Sequence, residues 1–184
     1  MQSNKPTALE LGQIIQALAF SAHKHREQRR KDHKASPYIN HPIGLADVLV
    51  NEAGITDPVT ICAALLHDTI EDTETTAEEL QEAFGPEVLA VVLEVTDDKS
   101  LAKAERKRMQ VEHAAHKSDR AKQVKLADKI CNLRDISNNP PSDWSNQRKQ
   151  EYFDWAKAVV DQLRGANPKL EELFDTAYGL KLCS

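Results

Sequence analysis

Helix start and stop signals recur along the chain, and they constrain its fold more than any other feature. Capping boxes at residues 7–10 and 76–79 each predict the start of a helix. Gly85 predicts the end of the second of these helices, and Pro86 the start of the next one. No segment alternates apolar and polar residues in the way that is typical of a strand. The sequence predicts an all-α fold, a single-domain bundle of about nine helices over residues 1–184.

Composition and charge narrow the classes of protein that fit. The net charge of -5 and the pI of about 5.8 argue against a nucleic-acid partner, since nucleic-acid-binding domains are usually basic. They leave room for a small anionic ligand, which needs only a local basic patch. The chain has three cysteines and no CxxC motif, which fits a reducing compartment. We find no leader and no long apolar run, so we expect a cytoplasmic protein with no membrane partner. The oligomeric state stays open.

The segment AALLHDTIEDT, residues 63–73, joins an apolar run to a cluster of titratable side chains. The cluster consists of His67, Asp68, Glu71 and Asp72. If the helix is continuous, these side chains lie within about 140° of one another, on one side of it. One interpretation is a solvated helix end, because charge runs usually face solvent. The other is a polar cluster held on a rigid support, which suits a metal site.

Two further segments carry candidate metal ligands. His41 lies before a proline in SPYINHPIG, and Asp128 lies inside VKLADKICNLRD. Taken separately, a histidine at a helix start is more often a cap, and an aspartate within a helix is more often exposed. With His67 and Asp68 they form a spaced set of two imidazoles and two carboxylates. Such nitrogen and oxygen ligands suit Mn, Fe, Zn or Ni better than Cu(I).

The motifs together resemble those of the HD superfamily of metal-dependent phosphohydrolases. Five segments are similar in sequence to motifs of the small alarmone hydrolases: HREQRRKD, PYINHPIG, AALLHDTIEDT, VTDDK and VKLADKICNLRD. These are free-standing relatives of the hydrolase domain of the RelA/SpoT family, and the animal-type members match best. The larger bifunctional relatives often carry glycines around the first motif, whereas AHKHREQRRKDHKASPYINHP has none. This difference favours the small-hydrolase subgroup.

The resemblance implies a reaction and a set of site residues. One divalent cation, usually Mn²⁺ in this family, would be bound by His41, His67, Asp68 and Asp128. Glu71 and Asp72 would orient the attacking water or take its proton. The reaction would remove the 3′-diphosphate of guanosine 3′-diphosphate 5′-di- or triphosphate, written (p)ppGpp. Its products would be GDP or GTP and pyrophosphate.

Cations must bind the phosphates of such a substrate, because the chain has neither a GxGxxG nor a GxxxxGK loop. The resemblance assigns nucleotide contacts to Arg30, Lys31, Asn132, Lys103, Arg148 and Tyr152. The basic stretch at the end of the first helix could equally interact with the helix dipole. Asn132 could equally be a hydrogen-bonded core amide. His25, in the same basic stretch, is interpreted as incidental.

Two alternative functions remain open on the sequence. Some relatives remove the phosphate from the adenosine ribose of NADPH, so an NADPH 2′-phosphatase would keep the metal and change the substrate. A catalytically silent alarmone-binding module is the other alternative. The intact pair Glu71 and Asp72 argues against it, because a protein that only binds needs no water-activating carboxylates.

Overall fold

The structure is a computed structural model that describes residues 7–180, an all-α array of helices. In chain order the helices are α1 (Ala8–Lys24), α2 (Asn40–Asp47), α3 (Pro58–Leu66), α4 (Thr69–Asp72), α5 (Ala77–Val95), α6 (Lys103–Ala114), α7 (Asp119–Asn138), α8 (Asn146–Asp161) and α9 (Pro168–Gly179). A π-helical turn, Val48–Glu52, continues α2. Over residues 7–180 there is no strand, and one isolated bridge joins Arg29 to Pro37. The all-α prediction is confirmed, while the predicted domain also includes residues 1–6 and 181–184, which lie outside the described part.

Side-chain caps define the helix starts where the sequence predicts them. The Thr7 hydroxyl accepts from the Glu10 N–H, and the Glu10 carboxylate accepts from the Thr7 N–H, so the first capping box is complete. Asp57 caps α3. Gly85 has φ 83°, and together with Pro86 it divides α5 into the two helical segments that the sequence predicts.

The helix that carries the titratable cluster is not continuous, and this part of the prediction is wrong. The Thr69 hydroxyl donates to the Leu66 carbonyl over 2.7 Å, and that carbonyl would otherwise accept from the next helical turn. Asp68 leaves the helical region, with φ -102° and ψ 0°. The break places His67 and Asp68 on a turn between α3 and α4.

The long helix α7 is the centre of the fold. It packs against α2, α3, α5, α8 and α9. Leu126, Ile130 and Leu133 on α7 have no solvent exposure, and Cys62 and Cys131 are buried as predicted. These contacts bring the parts of α2, α3 and α7 that carry the candidate ligands together. No helix within residues 7–180 combines the length and apolarity that crossing a membrane requires.

Candidate active site

Three predicted ligands from separate helical regions meet in the interior of the protein. His41 lies in the first turn of α2, His67 follows α3, and Asp128 lies in α7. One ligand atom of each lies within 4.8 Å of the others. The residues are 5%, 5% and 8% exposed. An arrangement of two imidazoles and a carboxylate at this separation can hold a divalent cation.

The protonation of His67 supports a cation at this position. Its Nδ1 lies 2.8 Å from the Ala64 carbonyl oxygen, which can only accept, so Nδ1 carries a hydrogen. Its Nε2 is buried without a hydrogen-bond partner and lies 2.8 Å from Asp68 Oδ2. A lone pair that faces a carboxylate requires a proton or a cation between them. The chemistry of the donor set therefore fits a metal ion.

His41 completes the histidine pair. Its Nε2 lies 3.3 Å from Asp128 Oδ1, and its ring centroid lies 5.3 Å from that of His67. Burial lowers the pKa of His41 below its ordinary value. The imidazole is therefore neutral near neutral pH, and the neutral imidazole is the form that binds metal ions.

Asp128 is held in its ionised form by cationic and amide donors. Lys129 Nζ lies 3.0 Å from Oδ2, and Asn132 Nδ2 donates to Oδ1 over 2.6 Å. Burial alone would raise the pKa of Asp128, but the Lys129 ammonium and then His41 hold it well below its ordinary value. Lys129 is only 2% exposed, and its Nζ lies 4.3 Å from the centre of the Trp155 ring. Asn132 is thus a hydrogen-bonded amide next to a candidate metal ligand, and its contact with the nucleotide stays a prediction.

Asp68, the fourth predicted ligand, adjoins this group through His67 but is not one of the three converging residues. The Tyr38 hydroxyl donates to Asp68 Oδ2. Sequence analysis missed Tyr38, although it stands in the PYINHP motif three residues before His41. A tyrosine next to a proline gives no signal of its own, because the carboxylate it contacts is thirty residues away in the chain.

Removal of the Tyr38 hydroxyl is expected to weaken metal binding. In the variant Tyr38→Phe, Asp68 loses the donor that orients its carboxylate, and loss of such an orienting partner typically costs about 10–100-fold in metal affinity. Titration calorimetry with Mn²⁺ measures the change. The matched control is Tyr178→Phe, which removes a hydroxyl that donates to Asp154 on the surface. Equal affinities of Tyr38→Phe and the unmodified protein would contradict this role.

The predicted catalytic pair lies on the short helix α4. Glu71 Oε2 accepts from the Asp97 N–H over 3.2 Å, and its other oxygen lies 3.9 Å from Arg106 Nη1. Burial, followed by the negative charges of Asp68 and Asp97, raises the pKa of Glu71. A carboxylate with a raised pKa takes protons more readily, which suits a general base.

Asp72 is partly exposed and is held from two sides. Gln28 Nε2 donates to its Oδ2 over 2.9 Å, and the Lys99 ammonium pairs with its Oδ1. Lys99 belongs to the VTDDK motif, so two of the sequence motifs meet at this carboxylate. Neither Glu71 nor Asp72 belongs to the converging group of His41, His67 and Asp128.

A cavity of about 480 Å³ adjoins the metal-ligand candidates and the catalytic pair. His41 of the first set and Asp72 of the second are part of its wall. Of the six predicted nucleotide contacts, four line it: Arg30, Lys31, Asn132 and Tyr152. Arg148 is not part of the wall. Its guanidinium lies 4.6 Å from the ring centre of Trp144, and Trp144 does line the cavity. Lys103 is the exposed first residue of α6 and is not part of the wall. The roles of Lys103 and Arg148 stay predictions.

Arg30 is already paired inside the cavity. Its Nη2 lies 2.5 Å from Asp135 Oδ2 and 3.5 Å from Asn132 Oδ1, and its guanidinium lies 5.8 Å from the centre of the Tyr38 ring. Arginine pairs with phosphate as readily as with carboxylate. The Arg30 guanidinium can therefore pair with an anionic ligand in place of Asp135.

Metal affinity is expected to fall as the pH is lowered. Burial would lower the pKa of His67, but the Asp68 carboxylate outweighs it and raises that pKa above its ordinary value. Below this pKa a proton occupies Nε2, so a metal ion must displace it, at a cost of about tenfold in affinity per pH unit for one proton. Mn²⁺ titrations at about pH 8 and about pH 6, above and below the ordinary pKa of histidine of about 6.5, measure the effect. An affinity that does not change between them would contradict it.

Comparisons with known proteins identify the family of this chain. A family model described as HD domain matches residues 17–155. Over 163 residues the chain is 59% identical to guanosine-3′,5′-bis(diphosphate) 3′-pyrophosphohydrolase MESH1 of Mus musculus, covering 89% of this chain and 91% of that protein. It is 58% identical over 163 residues to the protein of the same name in Homo sapiens, with the same coverage of 89% and 91%.

A solved structure supports the same assignment. It is reported as a metazoan ortholog of SpoT that hydrolyzes ppGpp and plays a role in starvation responses. The two folds superpose with a TM-score of 0.89 at 49% identity, over 96% of this chain and 97% of the other. The chain therefore belongs to the HD-domain family and, within it, to the small guanosine-3′,5′-bis(diphosphate) 3′-pyrophosphohydrolases.

Proposed function

We propose that this protein is a metal-dependent hydrolase that removes the 3′-diphosphate of (p)ppGpp and releases pyrophosphate. The names of its relatives supply the substrate. The observation that carries the proposal is the buried group of His41, His67 and Asp128. One cavity has both His41 of this group and Asp72 of the catalytic pair in its wall. The cavity volume of about 480 Å³ lies within the range of about 300–1,000 Å³ that is usual for small-molecule sites.

The catalytic work divides between the buried group and the carboxylate pair. A divalent cation bound by His41, His67, Asp68 and Asp128 would lower the pKa of a water molecule and polarise a phosphate oxygen. Glu71 takes a proton from the attacking water, and Asp72 orients that water. The water oxygen bonds to the phosphorus attached to the ribose 3′ oxygen. The bond between that phosphorus and the 3′ oxygen breaks, and the 3′ oxygen ends with a proton.

The cationic wall of the cavity binds the substrate. Arg30 exchanges Asp135 for a phosphate group, and Lys31 adds a second positive charge beside it. Asn132 and Tyr152, which also line the cavity, contact the ribose or the base. Lys103 and Arg148 extend the positive surface at the edge.

The physiological metal is proposed to be Mn²⁺. Two imidazoles with carboxylates form a nitrogen and oxygen ligand set, which Mn²⁺ accepts and Cu(I) does not favour. We also infer that the chain forms one domain, because α7 contacts helices from both the first and the last thirds of the described chain. The cytoplasmic location remains a prediction from the sequence.

Turnover of a defined substrate tests the proposal. The purified protein is incubated with Mn²⁺ and guanosine tetraphosphate, and pyrophosphate release is followed over time. We expect GDP and pyrophosphate in equal amounts, and no release after the metal is removed with a chelator. Absence of turnover while metal analysis finds the ion bound would overturn the proposed function.

A substrate panel separates the proposed reaction from phosphate removal from NADPH. The specificity constants kcat/KM for guanosine tetraphosphate, guanosine pentaphosphate and NADPH are measured under the same conditions. We expect both guanosine substrates to exceed NADPH. The reverse order would keep the metal chemistry and change the assigned substrate.

A further inference from the structure

His25 is a buried histidine for which the proposed reaction has no use. It lies in the turn that ends α1 and is 1% exposed. Its backbone N–H donates to the Ser21 carbonyl over 2.9 Å, and its own carbonyl accepts from the Gln28 N–H over 2.9 Å. The backbone of His25 is therefore held on both sides. Its position in a basic, exposed stretch of the sequence gave no sign of this burial.

The side chain of His25 forms a hydrogen bond that leads to the catalytic pair. Its Nδ1 lies 2.6 Å from Gln28 Oε1, and Gln28 Nε2 donates to Asp72 Oδ2 over 2.9 Å. A carboxylate only accepts, so the amide nitrogen of Gln28 must face Asp72 and its oxygen must face His25. His25 Nδ1 is therefore the donor, and the imidazole fixes which way the amide points.

The protonation state of His25 is consistent with a fixed donor. Burial lowers its pKa, so the ring is neutral near neutral pH. With its hydrogen on Nδ1, the ring keeps a lone pair on Nε2, which is buried without a hydrogen-bond partner. A buried polar atom without a partner destabilises the folded protein. The protein tolerates this cost at position 25.

His25 also contacts the residue that orients Asp68. Its ring centroid lies 4.8 Å from that of Tyr38, with an angle of 36° between the planes. The Tyr38 hydroxyl donates to Asp68. One buried imidazole thus adjoins both carboxylate supports, Gln28 for Asp72 and Tyr38 for Asp68.

We propose that His25 and Gln28 form a positioning pair, in which the imidazole orients the Gln28 amide and the amide holds the Asp72 carboxylate for catalysis. This inference rests on the proposed function for its catalytic consequence. Lys99 pairs with Oδ1 of Asp72, and Gln28 holds Oδ2, so the two oxygens have separate partners. Without His25 the amide of Gln28 is free to rotate, and the carboxylate loses one of its two fixed contacts.

Substitutions at His25 test the inference through loss and rescue. His25→Leu removes the Nδ1 donor, and kcat is expected to fall about tenfold to hundredfold, as for other lost orienting partners. His25→Asn places an amide nitrogen where Nδ1 lies and is expected to recover most of that loss. KM and bound metal should stay within about twofold of the unmodified protein, since neither ring nitrogen touches the candidate ligands. The control is His23→Leu at an exposed position of α1, which should leave kcat unchanged.

A double-mutant cycle separates positioning from a general structural role. If His25 acts through Gln28, the loss in His25→Leu plus Gln28→Leu equals the loss in Gln28→Leu alone. Additive losses would overturn the inference, as would a kcat of His25→Leu within about twofold of the unmodified value. If His25→Leu fails to fold, the other two variants still test the inference. His25→Asn must retain turnover, and Gln28→Leu must lose it.

A spectroscopic readout judges the same contacts independently of turnover. Nitrogen-labelled histidine is observed by NMR with diamagnetic Zn²⁺ in place of paramagnetic Mn²⁺. We expect the neutral tautomer of His25 with its hydrogen on Nδ1, and a shift of that signal in Asp72→Ala. The inference of a positioning pair would be overturned if the His25 signal did not change in Asp72→Ala, or if it showed the hydrogen on Nε2. A protein that shows these signals but does not hydrolyse guanosine tetraphosphate would instead refute only the proposed function.

Discussion

Replacement of Glu71 and Asp72 by their amides, Glu71→Gln with Asp72→Asn, is expected to abolish turnover while metal remains bound. The change keeps the size of both side chains and removes their ability to take a proton. The raised pKa of Glu71 suits it to take a proton from the attacking water. Since a positioned general base contributes about 10²–10⁴-fold, kcat should fall by at least about a thousandfold. Pyrophosphate release and metal analysis of the same preparation measure both parts.

The single variants and a nearby control sharpen this result. Glu71→Gln is expected to cost more than Asp72→Asn, because Glu71 takes the proton in the proposed reaction whereas Asp72 only orients the water. Glu74→Gln, at an exposed carboxylate two residues beyond the pair, should leave turnover unchanged. Loss of metal from the double variant would mean that these carboxylates are ligands, and the division of roles proposed here would be incorrect.

Local signals were sufficient to predict most of the fold. Caps such as Thr7 and Asp57 satisfy backbone N–H groups within three residues, so their effect is written in the neighbouring sequence. The break between α3 and α4 was missed, because a threonine hydroxyl that donates to Leu66 competes with a helix that the residue types otherwise favour. The π-helical turn after α2 likewise has no sequence signal that we could identify.

The candidate site was harder to predict because its residues are far apart in the chain. His41 and Asp128 were paired by family resemblance and not by spacing, since spacing within one helix says nothing about how two helices cross. In the structure His41 Nε2 lies 3.3 Å from Asp128 Oδ1. Tyr38 and His25 were missed for the same reason. Tyr38 donates to Asp68 directly, and His25 is linked to Asp72 through Gln28. Both links join separate segments of the chain, so only the packing of the helices reveals them.

Removal of one candidate ligand by Asp128→Ala is expected to eliminate metal binding and turnover together. A carboxylate that contacts the ion should matter more than an orienting partner, so metal affinity should fall by more than about a hundredfold. The variant also leaves Lys129, which is 2% exposed, without its carboxylate. Removal of one partner of a buried ion pair typically costs about 3–5 kcal/mol of folding free energy. The melting temperature should therefore fall as well, which means that loss of metal must be separated from loss of fold.

A second substitution makes that separation. In Asp128→Ala with Lys129→Met the buried ammonium is gone, so the melting temperature should recover in part, because an apolar side chain packs against Trp155 without an unpaired charge. Metal binding should not recover, since the missing carboxylate is unchanged. Asp119→Ala, in the exposed first turn of the same helix, is the control for removal of an aspartate from α7. Unchanged metal occupancy in a folded Asp128→Ala protein would remove Asp128 from the ligand set. Because the other two converging residues are imidazoles, it would also leave Asp68, which lies 2.8 Å from His67 Nε2, as the remaining carboxylate of the proposed ligand set.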